Sequence, residues 1–174
     1  KDIIKFPKKI PEGFACRGEL LLSKKNWDLL KDMGANARNV VAGIINSKTI
    51  NKKVLEKIDY VVYDVFNERM KNEDALKLAK KLKFKIAKYK VVKSILTNEK
   101  LFEFLKSFKN NSDYEIDGIV ITHNKPYEIK VGDNPPYSFA FKSNELLDVA
   151  EVIVNNVEWN ISKDRYMKPI VQFN

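Results

Sequence analysis

Apolar positions recur along this chain with two different periods, and the change of period divides it into elements. Ala75, Leu78, Ala79 and Leu82 fall at i, i+3, i+4 and i+7, which predicts an amphipathic helix capped by Asn72. Leu101, Phe104, Leu105 and Phe108 form a second such stripe behind Thr97 as the cap. Val40 and Val41 pair with Ile44 and Ile45 in a helix over 38–46. Ser23 can cap a helix over 24–33 that stops at Gly34, and Thr49 opens a short helical segment to about Lys57. Stripes of this kind face a core. Elsewhere the residues are β-branched and aromatic or alternate with period two. Strands are therefore expected at Phe14 to Leu22, Tyr60 to Phe66, Lys85 to Val92, 116–122 and 137–142. A long β-prone run follows over 149–162, and Pro169-Ile170-Val171 starts one more strand. Pro7 and Pro11 keep residues 1–13 extended, Asn110 to Asp113 is a turn, and a loop runs from Lys125-Pro126 to Pro135-Pro136. Antiparallel-type strands with surface helices predict an α+β domain over 1–148, with a second segment over 149–174.

Composition narrows the class. The chain has 174 residues, 44% of them apolar, enough for a core. Its 32 Lys and Arg against 23 Asp and Glu give +9, which suits a polyanion such as nucleic acid, and equally suits a lysine-rich solvated surface. The single cysteine, Cys16, excludes a disulfide framework and a cysteine zinc site and fits a reducing compartment. As a strand cysteine it is expected to be buried. His123 is alone, so it is a loop residue rather than half of a metal site, and no metal ligands are assigned. No apolar run is long enough to span a bilayer, so a cytoplasmic protein without a membrane partner is expected. The chain begins at Lys1 without an initiator Met and stops in strand-like sequence, so it is expected to be a piece of something longer.

Candidate chemistry collects at strand ends. Asp117-Gly118 opens one strand, and an acid beside a glycine lets a carboxylate meet a ligand where backbone comes close. Phe139-Ala140-Phe141-Lys142 ends on a point charge carried by an apolar strand, a way to hold a phosphate. In chain order the signals are Arg17-Gly18-Glu19, the segment Asn36 to Gly43, a strand with Tyr63, Asp117 to Ile121, Phe139 to Lys142, and Val157 to Lys163 with Lys168 to Val171.

This series resembles the adenylation domain of NAD-dependent DNA ligases, of a divergent, viral-like kind. Asn36 to Gly43 is similar to the family's N-P-R-N-A-A-A-G segment, and the D-G-[IV]-V-I and A-F-K strands are shared among covalent nucleotidyltransferases. The resemblance implies an ATP-grasp-like ligase core of antiparallel sheets, followed at 149–174 by the first strands of an oligonucleotide-binding (OB-fold) barrel. It implies that NAD is cleaved, that nicked duplex DNA is sealed through an adenylated intermediate, and that Mg2+ offsets phosphate charge. Lys142 and Asp117 would be catalytic. Glu19, Tyr63, Asp117 and Lys142 would bind the nucleotide: Glu19 accepting from ribose, Tyr63 lying along adenine, Asp117 facing nucleotide and metal, Lys142 on the α-phosphate. Arg38 and Lys163 would meet DNA. On the residues alone, Glu19 could instead pair with Arg17, Tyr60 or Phe66 could replace Tyr63 as the ring donor, and Trp159 could be either a barrel-core residue or a DNA contact.

Departures from the pattern are equally specific. The family's nucleophilic lysine lies in a K-x-D-G motif upstream of R-G-E. This chain has none, since Lys31-Asp32-Met33-Gly34 has the wrong spacing and order. That lysine is expected on a preceding segment or a partner chain. The family lysine after D-G-V-V-I is Thr122 here, its arginine closing the Asn36 segment is Asn46, and its R-T pair in the next domain is Lys163-Asp164. Lys125 or Lys130 could take over a phosphate. Two alternatives stay open: an ATP-dependent DNA or RNA ligase, towards which Tyr63-Asp64-Val65-Phe66 leans, and a non-catalytic nucleic-acid-binding remnant.

Overall fold

A computed structural model describes residues 6–49, 51–66, 70–127, 135–143 and 150–174. The expectations for Lys130, Val149 and residues 1–5 lie outside them. The architecture is mixed α+β with small sheets. The chain forms two compact units, divided between Lys142 and Ser143.

In the first unit, β1 (Cys16–Leu22) pairs antiparallel with β2 (Ile58–Val65), and β2 pairs parallel with β3 (Lys85–Ile86). The parallel pair departs from the all-antiparallel expectation. It arises because α4 (Asn72–Lys81) crosses from β2 to β3 as a βαβ unit. The helix lies on the sheet, where Val62, Val65, Ala75, Ala79 and Phe84 form one buried cluster. A second cluster joins Leu22 and Ile58, at the other end of the same strands, to Leu30, Val40, Val41, Val54 and Leu55. Those residues come from α2 (Ala37–Asn46), α3 (Lys52–Leu55) and the segment before them. A second sheet is the hairpin of β4 (Ile119–Thr122) and β5 (Ser138–Phe141), in the register Ile119↔Phe141 to Thr122↔Ser138.

Local chemistry explains most boundaries. Asn36 caps α2 by accepting from the Asn39 amide at 2.8 Å. Thr97 caps α5 (Asn98–Asn111), whose Leu101 and Leu105 are buried as the stripe predicted. Ser23 caps α1 (Lys24–Asp28), but this helix is shorter than expected: a separate 3-10 turn covers Lys31–Met33, and Gly34 is extended at φ 174°. Thr49 does not open α3, which starts behind Asn51. Asn72 is not a cap either. Lys71 holds the N-cap position without a side-chain bond, and the first turn of α4 is satisfied from far along the chain. There the Asn124 Oδ1 accepts from the Glu73 amide at 3.2 Å while its Nδ2 donates to the Glu73 carboxylate at 3.3 Å. This bond ties the hairpin's far end to the first sheet. The strand expected over Lys85 to Val92 stops at Ile86. Beyond Ala87, whose amide donates to Val62 O at 2.8 Å, Lys88 reaches Asn111 O and Lys90 lies 4.4 Å over the Phe104 ring, so the segment follows α5 instead.

The second unit contains the hairpin of β6 (Val154–Ile161) and β7 (Met167–Phe173), narrower than the run expected over 149–162. Register places Val157, Trp159 and Ile161 opposite Val171, Pro169 and Met167, which gives one apolar face, exposed throughout. Its turn is closed by Ser162, whose amide donates to Tyr166 O at 2.8 Å, with Arg165 in the left-handed region at φ 64°.

Candidate functional site

Asp117 and Lys142 come from opposite edges of the β4–β5 hairpin. Register lets them meet: Ile119 faces Phe141, so Gly118 and Lys142 are next outward and Asp117 lies diagonally across from Lys142. The Lys142 Nζ donates to the Asp117 Oδ2 at 2.8 Å, and both side chains are about three-fifths exposed, at 61% and 62%. Gly118 permits this approach. A Cβ there would lie 2.8 Å from Phe141 O and 2.8 Å from the Lys142 Cγ. The bond from Lys142 chiefly holds the Asp117 carboxyl below its usual range, against partial burial, and the charge of Arg38 adds to it. Arg38, on the first turn of α2, acts on that carboxyl through its charge alone, without a hydrogen bond or ion pair to it among the described residues. The structure brings Asp117 and Lys142 into direct contact.

Glu19 and Tyr63 stand on the other sheet, in β1 and β2. Glu19 is exposed opposite Val61, and its side chain makes no hydrogen bond or ion pair among the described residues. It does not pair with Arg17, whose guanidinium lies 4.8 Å over the Phe66 ring instead. A bulge sets Tyr63. Pairing runs Arg17↔Asp64 and then Gly18↔Val62, so Tyr63 is the extra residue of β2. The bulge turns Val62 and Val65, three positions apart, into the same core at 0% and 2% exposure, and leaves Tyr63 outside at 44%. Tyr60 is occupied. Its ring crosses Gly18, where a Cβ would meet it at 2.8 Å, and its hydroxyl donates to Cys16 O at 3.3 Å. Burial, then the Cys16 thiol, pushes the Tyr60 hydroxyl up to about 12. Cys16 is only partly buried. Among the described residues no hydrogen bond or ion pair links Glu19 or Tyr63 to the Asp117 group.

The remaining candidates are placed as follows. Thr122 bonds Ser138 across the hairpin, oxygen to oxygen at 2.9 Å. His123 is not solitary in space: its Nδ1 meets the Tyr127 hydroxyl at 2.5 Å, and Tyr127 stacks on Tyr137 at 4.0 Å between centroids. Lys163 sits exposed in the β6–β7 turn. The described residues contain no group of three His, Cys, Asp or Glu able to hold a metal, and no helix long and apolar enough to cross a membrane. Sequence reasoning missed the proximity of Arg38 to Asp117, since 79 positions separate them.

The family model described as the NAD-dependent DNA ligase adenylation domain matches residues 2–142. The chain belongs to that family. Among similar proteins is a "DNA ligase" of Acanthamoeba polyphaga mimivirus, 37% identical over 95% of this chain and 26% of its own length. A "DNA ligase" of Mesoplasma florum is 30% identical over 86% of this chain and 26% of its own. One of Rickettsia akari is 30% identical over 69% and 20%. The chain thus spans about a quarter of the length of the curated relatives it matches.

Proposed function

We propose that these residues form the adenylate-binding part of an NAD-dependent DNA ligase that seals nicks between 3′-hydroxyl and 5′-phosphate ends. The observation that carries this reading is the Asp117–Lys142 pair at 2.8 Å. The donor set fits an adenosine phosphate in kind. Glu19 offers a free carboxylate for ribose hydroxyls, Tyr63 an open ring for adenine, and Lys142 and Arg38 positive charge for phosphate. Tyr60 and Phe66 are already engaged, which favours Tyr63 as the stacking ring.

Bound NAD supplies an activated α-phosphate, from which a lysine amine outside this chain displaces nicotinamide mononucleotide. Lys142 leaves Asp117 and turns to the phosphate, where negative charge grows as the bond to the leaving group breaks. Arg38 keeps a positive charge acting on Asp117 once Lys142 has moved. Glu19 and Tyr63 hold the nucleoside still, so that the phosphorus presents one face to the attacking amine. The adenylate then passes to a DNA 5′-phosphate, and the 3′-hydroxyl displaces AMP. Asp117 would be the residue facing a magnesium ion, which when bound would offset phosphate charge. Among the described residues no set of side chains builds a metal cage, and none of these residue roles depends on one. Lys163 would meet DNA from the β6–β7 turn, and the apolar face of that hairpin is what the first strands of an OB barrel would turn inward. Membership of the NAD-dependent family favours NAD over ATP as the adenylate donor.

The test is to incubate the full-length protein with adenylate-labelled NAD or ATP and follow label retained on protein. The expected result is an acid-labile lysyl adenylate from NAD alone, reduced at least a hundredfold by Lys142→Ala. Label from ATP would move the protein to the ATP-dependent class. No label from either, with DNA binding intact, would leave a non-catalytic remnant.

A further inference from the structure

Away from the Asp117 group, two adjoining clefts of about 620 and 420 Å³ open at the end of the first sheet where β1 finishes and β2 begins. They share Asn26, Asp59 and Lys85. Lysines dominate their walls: Lys24 and Lys25 from α1, Lys53 and Lys57 around α3, and Lys83 and Lys85 from the turn into β3. Three acids are also present, Glu56, Asp59 and Asp113. Asp59 is already satisfied: the Lys85 Nζ is 2.6 Å from its Oδ1, and the Tyr114 hydroxyl donates to its Oδ2 at 2.8 Å. Asp59 and Lys85 line both clefts. Asn26 braces the floor by donating from Nδ2 to Lys57 O at 2.8 Å.

The ammonium groups of Lys25, Lys53, Lys57 and Lys83 make no hydrogen bond or ion pair among the described residues. Four free cations along one trough repel each other, and a chain of phosphates relieves that repulsion. The aromatic rings at the clefts are spoken for. Tyr60 is packed over Gly18, Phe84 is buried against Phe14, and Tyr114 holds Asp59. None is free to stack on a base, so the surface suits a backbone and not splayed bases. We propose that this lysine trough binds the sugar-phosphate backbone of duplex DNA, independently of the adenylate pocket.

The proposal rests on the DNA reading above and can fail separately from it. The probe is an intact, un-nicked 20-base-pair duplex, titrated into this chain over a range of salt concentrations. The triple variant Lys53→Gln, Lys57→Gln, Lys83→Gln is compared with wild type. A charge-matched control carries Lys80→Gln, Lys93→Gln and Lys106→Gln, all outside the clefts. Each lost phosphate contact lowers the slope of log K against log salt by about 0.9. The trough variant should therefore lose roughly 2 to 3 units of slope and bind at least thirtyfold more weakly at low salt, with the control within threefold of wild type. AMP affinity should be unchanged in both. If wild type binds and the two triples behave alike, general charge is the cause and the trough is refuted. Absence of duplex binding by wild type at every salt would overturn the DNA reading as well.

Discussion

Gly118→Ala tests the physical basis of the candidate site. At Gly118 a methyl group would sit 2.8 Å from Phe141 O and the Lys142 Cγ, where ordinary contact begins near 3.4 Å. The end of β5 must then move outward by about 0.6 Å. The lysine stem can swing aside, but the carbonyl belongs to a ladder of four residue pairs and cannot move without loosening it. Overpacking of this kind costs roughly 1–3 kcal/mol. For a chain of this length that is a fall in Tm of about 2–4 °C for each kcal/mol. The same shift draws the Lys142 ammonium away from Asp117, so AMP affinity should fall with stability. Gly43→Ala is the internal comparison. It lies in the exposed part of α2 with nothing within 4 Å of a new Cβ. There the better helix former should stabilise by about 0.8–1 kcal/mol. Thermal melts followed by circular dichroism should give opposite signs for the two glycines. A Gly118→Ala protein melting at or above wild type would refute the close-approach argument.

Three further outcomes are expected. Asn124→Ala removes the long-range cap of α4 and should cost about 0.5–2 kcal/mol, with faster amide hydrogen exchange at Glu73 and in the first turn. Leu105→Ala, at a side chain 1% exposed, should cost about 2–5 kcal/mol in denaturant titration, and a change under half a kcal/mol would contradict its place in the core. The Asp117 carboxyl is held down mainly by Lys142 and less by Arg38. Its contribution is therefore complete above the unfolded carboxylate range and is lost as pH falls through the lower folded value. Carboxyl-carbon NMR should show the Asp117 midpoint rising most in Lys142→Met and less in Arg38→Met. Solvent screening keeps the accompanying change in stability small, since the pair is exposed.

Elements whose signals are local were legible in the sequence. Thr97 caps the helix expected of it, the helix expected over 38–46 forms as α2, and the β4 and β5 segments pair as two β-prone runs joined by a proline-bounded loop. Asp117 and Lys142 could be singled out because one is an acid beside a glycine at a strand start and the other a lysine ending an apolar strand. What was misread depends on distant partners. Lys85 to Val92 alternates like a strand, but its lysines found α5. The cap of α4 comes from Asn124, 52 positions after Asn72. No charge run announced the lysine trough, because its lysines are scattered over α1, α3 and the turn before β3. Tyr63 could not be told from Tyr60 or Phe66, since the bulge that separates them exists only once β1 is paired with β2.

That bulge has a consequence for how such a strand can change. Removing Tyr63 from β2 would leave Val62, Asp64 and Val65 in even alternation, with both valines still turned into the interior. The hydrophobic side of the strand is thus served with or without the extra residue. The identity of the outward residue at the kink is left at liberty, and substitutions there can vary what the surface meets at almost no expense to folding.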